Sequence, residues 1–243
     1  FSGCVLLAKE GEVVFERAWG LASRRFDVPN TLETRFNLGS MNKMFTAVAL
    51  VQLQEAGKLE FGDRLIQHLP DFPNPSVAEE VTLHHLLTHT SGMGSFWEAM
   101  RAQDWTALRT PSDHLPLFGQ EDLRFEPGAR FSYSNSGFLT LGLVIESVTG
   151  MSYYDYVREN IFKTLGMTAT DSYPMDEPVK NLAIGYTRAS LAEDDHGRDG
   201  PLRNNYYLHR VQGGPAGGGF STVHDLLRFA NGLQKGKLLS PEG

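Results

Sequence analysis

Features of disulfide-bonded, nucleic-acid-binding and membrane-spanning proteins are missing from this sequence. The only cysteine is Cys4, so the chain cannot form an internal disulfide. Lys and Arg number 22 against 29 Asp and Glu, which gives a net charge of −7, and the basic residues form no cluster. A nucleic-acid partner is disfavoured because phosphate contacts need a clustered basic face. Apolar runs such as 44–51 are too short to cross a bilayer. We therefore expect a soluble globular protein.

Signatures of several enzyme classes are missing too. No G-x-S-x-G is present, which argues against an α/β-hydrolase. The glycine-rich segment 213–219 lacks G-K-[ST] and the strand–helix context of a phosphate-binding loop. We expect this segment to be a tight backbone passage near a cleft. The acidic residues of 192–200 lack the EF-hand order, so we expect them to be solvated.

His85 and His89 stand four residues apart, so a metal-binding pair is one interpretation. No zincin pattern with Glu and no further His or Cys at ligand spacing completes such a site. We expect instead that these histidines bond backbone groups of the adjoining loop. Thr82 is placed to cap a short helix over 84–89.

The chain of 243 residues, 41% hydrophobic, suffices for one large core or for a sheet lobe with a helical lobe packed on it. β-rich runs at 3–8 and 13–20 flank a glycine-containing turn and predict an opening hairpin. Apolar residues at helical spacing, followed by glycines, predict helices. The predicted helices cover 40–56, 138–148, 152–165 and a last segment that starts at a capping box at Thr222.

Ser40 and Lys43 open the predicted helix 40–56, and their i, i+3 spacing places them on one face. A serine hydroxyl needs a neighbouring base, and a lysine can be that base if burial lowers its pKa. The first helical turn adds the positive end of the helix dipole and free N–H groups for an oxyanion. We therefore interpret Ser40 as a nucleophile. The alternative is a solvated helix end, because S-x-x-K occurs about once by chance at this length.

Tyr133-Ser134-Asn135 is the second candidate motif. A tyrosine near Ser40 and Lys43 could supply the acid–base step that hydrolysis of an acyl-enzyme needs. Asn135 could bond both the lysine amine and a substrate amide. The alternative interpretation is a core tyrosine followed by an N-capping asparagine.

These motifs together resemble the serine β-lactamase and penicillin-binding-protein superfamily. The resemblance is carried, in order, by Ser40-x-x-Lys43, the H-L-L-T-H-T-S-G of 85–92, the E-P-G of 126–128, Tyr133-Ser134-Asn135 and the G-G-G-F-S-T of 217–222. It is nearest to the class C-like branch, which includes D-alanyl-D-alanine carboxypeptidases and β-lactamase-like esterases. Class A enzymes would have S-D-N at the position of Tyr133-Ser134-Asn135.

The resemblance implies an α+β fold of the β-lactamase/transpeptidase type, with an antiparallel sheet flanked by helices and a mostly helical lobe. We expect residues 1–60 and 211–243 to form the sheet lobe and 61–210 the helical lobe, with the active site between them. The resemblance assigns Ser40 as acylated nucleophile, Lys43 as activating amine, Tyr133 as acid/base and Asn135 as substrate contact. It implies a small-molecule acyl substrate, namely an ester, a β-lactam or a D-amino-acid peptide, and no metal or organic cofactor. Segments 93–120 and 200–215 are expected to shape the pocket.

One family motif is not found. Members carry K-T-G or H-x-G on a late strand, and neither triplet follows Tyr133. We therefore expect a sheet without its C-terminal strands, whose edge a missing segment or a partner covers. The alternative is a shortened relative that binds ligands without turnover. No signal-peptide leader opens the sequence, and the compartment, periplasmic, secreted or cytoplasmic, stays open, as does the oligomeric state.

Overall fold

An antiparallel hairpin opens the chain in the computed structural model, which describes residues 1–101, 104–188, 200–206 and 209–241. Strand β1 spans Gly3–Lys9 and β2 spans Glu12–Trp19. Between them Glu10 and Gly11 both have positive φ, 53° and 83°. This backbone twist matches that of the flanking strands and closes a tight turn. The predicted hairpin is confirmed.

The remaining strands are short, and in the described part of the chain all strands pair two by two. They are β3 (Leu21–Ser23), β4 (Val28–Pro29), β5 (Phe36–Asn37), β6 (Tyr186–Thr187), β7 (Arg203–Asn204) and β8 (Phe220–Ser221). The antiparallel pair β5–β8 joins the segment before Ser40 to the segment after the glycine-rich loop. These strands with the helices confirm the α+β class. The division into two lobes at 60 and 211 stays a prediction.

Eight α-helices are found in the described residues. They are α1 (Lys43–Glu55), α2 (Pro75–Glu80), α3 (Leu83–Leu87), α4 (Trp97–Arg101), α5 (Pro111–His114), α6 (Asn135–Thr149), α7 (Tyr153–Val157) and α8 (Val223–Gln234). Short 3₁₀ turns lie at Gly39–Asn42, Leu65–Gln67, Trp105–Ala107 and Leu115–Leu117, and a π-helix spans Arg158–Lys163. None of these described helices is long and apolar enough to cross a membrane.

Helix boundaries follow local capping chemistry. The Thr222 side chain accepts the Asp225 N–H and starts α8, as the capping box predicts. Gly150 ends α6 in the left-handed conformation, with φ of 68°. The predicted start of the serine helix at residue 40 is wrong by one turn, because Gly39–Asn42 forms a 3₁₀ turn and the α-helix begins at Lys43. The segment 152–165 is helical but changes to a π-helix after Val157.

The core is built around α1 and α6. Phe45 of α1 is fully buried and lies edge-to-face against Phe162, 5.0 Å between ring centroids, and against Phe229 of α8, at 4.9 Å. Such aromatic pairs add to the stability that burial of the rings provides. Leu139 and Ile145 of α6 are likewise fully buried. The helix that carries Lys43 is therefore held by packing on several sides, and its first turn has a fixed position.

Candidate active site

Ser40 lies in the 3₁₀ turn that leads into α1, exposed to solvent, while Lys43 is buried. A 3₁₀ helix has three residues per turn, so side chains at i and i+3 line up more closely than on an α-helix. The Lys43 Nζ lies 3.4 Å from the Ser40 Oγ. The tight turn thus brings the hydroxyl and the amine together. It also leaves the Ser40 N–H in a first turn, where backbone N–H groups have no acceptor within the helix.

The Lys43 amine is surrounded by acceptors and by apolar rings. It donates to the Asn135 Oδ1 at 2.8 Å and to the Ala216 carbonyl in a shorter contact. Burial lowers the pKa of Lys43; hydrogen bonding and charge interaction with Tyr133 oppose this, and the positive charge of Arg210 adds to it. A lysine ammonium has three N–H donors. Two of them are directed at Asn135 and Ala216, and the third is directed at the Ser40 Oγ.

Tyr133 contacts the same serine from the other side. Its hydroxyl donates to the Ser40 Oγ at 2.7 Å, and its ring centroid lies 4.8 Å from the Lys43 Nζ. The side chain is 47% exposed, so one face is open to water. Ser40, Lys43, Tyr133 and Asn135, all singled out from the sequence, therefore meet at one place.

Ser134, between the two motif residues, caps α6. Its hydroxyl accepts the Gly137 N–H at 3.0 Å and donates to the Gly94 carbonyl at 2.9 Å. The alternative interpretation of Asn135 as the N-cap is therefore wrong. As the first residue of α6, Asn135 instead turns its amide toward Lys43. The cap fixes the start of the helix and with it the position of Asn135.

His89 supports Tyr133, a role that the sequence did not reveal. Its Nδ1 accepts the Ser134 N–H at 3.2 Å, and its ring centroid lies 4.5 Å from that of Tyr133. The backbone of His89 has a φ of 58°, in the left-handed region. Burial, with the Lys43 charge as a second cause, lowers the pKa of His89 and favours the neutral ring that can accept this bond.

The prediction that the two histidines bond backbone of the adjoining loop is confirmed for His85 and wrong for His89, whose backbone partner, Ser134, lies 45 residues further along the chain. His85 Nδ1 accepts the Thr82 N–H at 3.3 Å, and Thr82 in turn caps α3. The predicted helix 84–89 is shifted: α3 covers Leu83–Leu87 and ends before His89. In the described part of the chain no group of three or more His, Cys, Asp or Glu could hold a metal ion. The acidic residues 192–199 lie outside the described residues.

The glycine-rich segment 213–219 packs against the serine turn. The Gly218 N–H donates to the Gly39 carbonyl at 3.0 Å, and a Cβ on Gly217 would lie 2.8 Å from that carbonyl oxygen. The predicted tight backbone passage near the cleft is confirmed. Its Ala216 carbonyl, which accepts from Lys43, was not found from the sequence, because any residue type offers a carbonyl.

A cavity of about 110 Å³ opens beside Ser40. Asn135, Phe96, Trp97, His209 and Arg210 line it, together with backbone of the glycine-rich segment. Both segments expected to shape a pocket, 93–120 and 200–215, contribute. A larger cavity of about 610 Å³ adjoins it along Asn37, Gly39 and His209.

An α+β fold with a serine hydroxyl in contact with an amine and a phenol defines a candidate acyl-transfer site. The beta-lactamase family model matches residues 2–243, and the chain belongs to that family.

Relatives and solved structures agree with the family. The chain is 32% identical to a penicillin-binding protein of Bacillus subtilis (strain 168), over 99% of this chain and 54% of the relative. It thus spans about half the length of the curated relatives that it matches. A penicillin-binding protein from Bacillus halodurans is 38% identical with a TM-score of 0.88, over 99% of this chain and 71% of that structure. A D-amino acid amidase from Ochrobactrum anthropi SV3 is 27% identical with a TM-score of 0.80, over 98% and 66%.

Proposed function

We propose that the protein hydrolyses an acyl compound through an acyl-enzyme on Ser40. The observation that carries this proposal is the simultaneous contact of the Ser40 Oγ with the Lys43 Nζ, at 3.4 Å, and with the Tyr133 hydroxyl, at 2.7 Å. A nucleophile within hydrogen-bond reach of a base and an acid is the arrangement that covalent acyl transfer requires.

Acylation starts with the neutral Lys43 amine. Its lone pair takes the Ser40 proton while the oxygen attacks the substrate carbonyl carbon. The carbonyl oxygen becomes negative, and the Ser40 N–H at the positive end of the helix stabilises it. Burial supports this step because it lowers the pKa of Lys43 and so raises the fraction of neutral amine.

Collapse of the tetrahedral intermediate needs a proton on the leaving group. Tyr133 supplies that proton, and the Lys43 ammonium replaces it on the tyrosine oxygen. In the second half, water attacks the acyl-enzyme while the same groups take its proton and return one to Ser40. Asn135 holds the Lys43 amine through its Oδ1, and its amide N–H groups donate to no acceptor among the described residues, so they are available to a substrate.

Esters, β-lactams and D-amino-acid amides or peptides are the proposed substrate classes. Support comes from the relatives, which are named as penicillin-binding proteins and a D-amino acid amidase. All these compounds present a carbonyl carbon to the same serine. They differ in the groups on either side of it, which neighbouring loops select.

A tagged fluorophosphonate and a fluorescent penicillin test the proposal. We expect both to label the wild type and to leave Ser40→Ala unlabelled, with the adduct on the tryptic peptide 36–43. Ser132→Ala, which removes a nearby hydroxyl outside the described hydrogen-bond network, should label like the wild type. A folded wild type that binds penicillin reversibly and never becomes labelled would favour the alternative of a binding module without turnover.

A further inference from the structure

Arg210 places a buried positive charge on the wall of the cavity beside Ser40. The residue is 8% exposed. Its Nη2 donates to the Gly217 carbonyl at 2.7 Å, and its guanidinium lies 5.8 Å from the centroid of Phe96. Over the described ranges of the chain, no ion pair joins Arg210 to a carboxylate. The charge is therefore buried without an anionic partner in the described structure.

A guanidinium has five N–H donors in a planar fork, which matches the two oxygens of a carboxylate. The described structure uses one of these donors, on Gly217. Burying a cation is costly unless an anion or several acceptors compensate for the lost water. Among the described buried charges, Lys43 also has no carboxylate partner, but its amine donates to both Asn135 and Ala216. The buried carboxylate of Asp225 pairs with Arg228.

The same stretch of backbone holds both cations of the site. The Ala216 carbonyl accepts from Lys43, and the next carbonyl, of Gly217, accepts from Arg210. Arg210 is thus fixed relative to the reacting serine, on a wall that also carries Asn135. Tyr133, which we propose as proton donor to the leaving group, does not line this cavity. In the proposed mechanism the leaving group must reach Tyr133, so this cavity is available to the acyl group that stays on Ser40.

We propose that Arg210 binds a carboxylate carried by the acyl group of the substrate. This inference rests on the proposed function and narrows its substrate class to short acidic acyl groups, such as an acyl group with the side chain of glutamate. A volume of about 110 Å³ equals about three to four water molecules at 30 Å³ each, which suits a chain of a few heavy atoms. The Asn135 amide would donate to the same acyl group.

Matched substrates test the inference. D-glutamic acid α-p-nitroanilide and D-glutamine α-p-nitroanilide differ only in a carboxylate against an amide of the same shape. We expect the wild type to have a kcat/KM at least tenfold higher for the glutamyl compound. In Arg210→Gln the ratio of kcat/KM for the glutamyl compound to that for the glutaminyl compound should fall at least tenfold. In Arg210→Lys this ratio should lie between those of the wild type and of Arg210→Gln. Arg17→Gln, an exposed arginine on β2 outside the cavity, changes the net charge equally and should keep the wild-type ratio.

Protection against fluorophosphonate labelling provides a readout that does not need turnover. Glutarate should protect Ser40 at a concentration at least tenfold lower than glutaramide in the wild type, and Arg210→Gln should remove that difference. Equal behaviour of the acidic and neutral compounds in the wild type overturns the inference, even if Arg210→Gln does not fold. Ser40-dependent labelling without a preference for the anion contradicts the role of Arg210 alone. Absence of labelling contradicts the proposed function.

Discussion

The two sides of the site reach Ser40 by different routes. Lys43 is three residues away on the same helical turn, with its Nζ 3.4 Å from the Ser40 Oγ. Tyr133 and Asn135 are more than 90 residues away along the chain, yet they make the shorter contacts, 2.7 Å to Ser40 and 2.8 Å to Lys43. Local spacing brings the amine near the hydroxyl, and packing of α6 against α1 supplies the close hydrogen bonds.

The two sides also differ in their exposure to water. Lys43 is 9% exposed and Tyr133 47%. Desolvation lowers the pKa of the base, whereas the phenol residue is about half exposed to solvent. In the proposed mechanism the buried side activates the nucleophile and the open side exchanges protons with substrate and water.

The largest effect on the reaction rate is expected from a substitution on the buried side of the site, at Lys43. Lys43→Met keeps an unbranched apolar chain and removes the base, so the rate of fluorophosphonate labelling should fall by about 10²–10⁴-fold. The wild-type rate should rise with pH as Lys43 loses its proton, over a range below the usual lysine pKa of 10.5. The variant should lack this limb. Its melting temperature should shift by no more than about 4 °C, because lost hydrogen bonds are offset by the lost cost of burying an amine.

A Lys43→Met variant that keeps both the wild-type rate and the wild-type pH profile would remove Lys43 from the mechanism. Lys163→Met is a matched control, because Lys163 is an exposed lysine paired with Glu159 on the π-helix. It should change neither rate nor profile.

A smaller effect is expected on the open side. Tyr133→Phe keeps the ring beside Lys43 and removes the bond to Ser40, so turnover should fall by about 10²-fold.

His89→Ala removes the acceptor of the Ser134 N–H and the ring against Tyr133. The phenol should then be displaced, and turnover should fall by about tenfold. Because His89 acts through Tyr133, the double variant should be no slower than Tyr133→Phe alone. Steady-state rates in a double-mutant cycle measure this coupling.

Independent, multiplicative losses in that cycle would contradict the positioning role of His89. His85→Ala serves as the matched control. This histidine of the same segment bonds the Thr82 N–H and does not contact Tyr133, so its removal should leave the rate of Tyr133→Phe and of the wild type unchanged.

The smallest effect is expected where the buried side meets the glycine-rich segment. Gly217→Ala would place a Cβ 2.8 Å from the Gly39 carbonyl oxygen at a positive φ, so the loop must shift. We expect a loss of about 1–3 kcal/mol in the free energy of unfolding, measured by urea denaturation. Gly62→Ala, with no atom within 4 Å of its Cβ and no positive φ, is the control and should be close to neutral. Equal stability of the two variants would show that the tight contact is unimportant.

Elements whose cause is local were predictable. The hairpin β1–β2, the cap of α8 at Thr222 and the end of α6 at Gly150 each depend on a few consecutive residues. Where distant contacts compete with local preference, the predicted start of a helix was wrong by one turn. The helix of Ser40 begins late, because Gly39, with φ of 51°, and the hydrogen bond from Leu38 to Gly219 hold the preceding segment in a tighter turn.

The site was predictable as a set of residue types but not as a network. Ser40, Lys43, Tyr133 and Asn135 were found because hydroxyl, amine and phenol chemistry is carried by side chains at recognisable spacing. The Ala216 carbonyl and the ring of His89 could not be assigned, because their roles depend on which groups the folded chain places beside them. Arg210 likewise has no sequence pattern, and its importance comes from burial beside the cavity.

By itself, the sequence determined the class of the fold, the main secondary-structure elements and the four residues that meet at the site. Tertiary structure decided the burial that lowers the pKa of Lys43, the backbone carbonyls that hold Lys43 and Arg210, and the position of Tyr133 over Ser40. The physical reason is that capping and helical periodicity act over a few residues, whereas desolvation and hydrogen-bond geometry depend on atoms that are neighbours only in space.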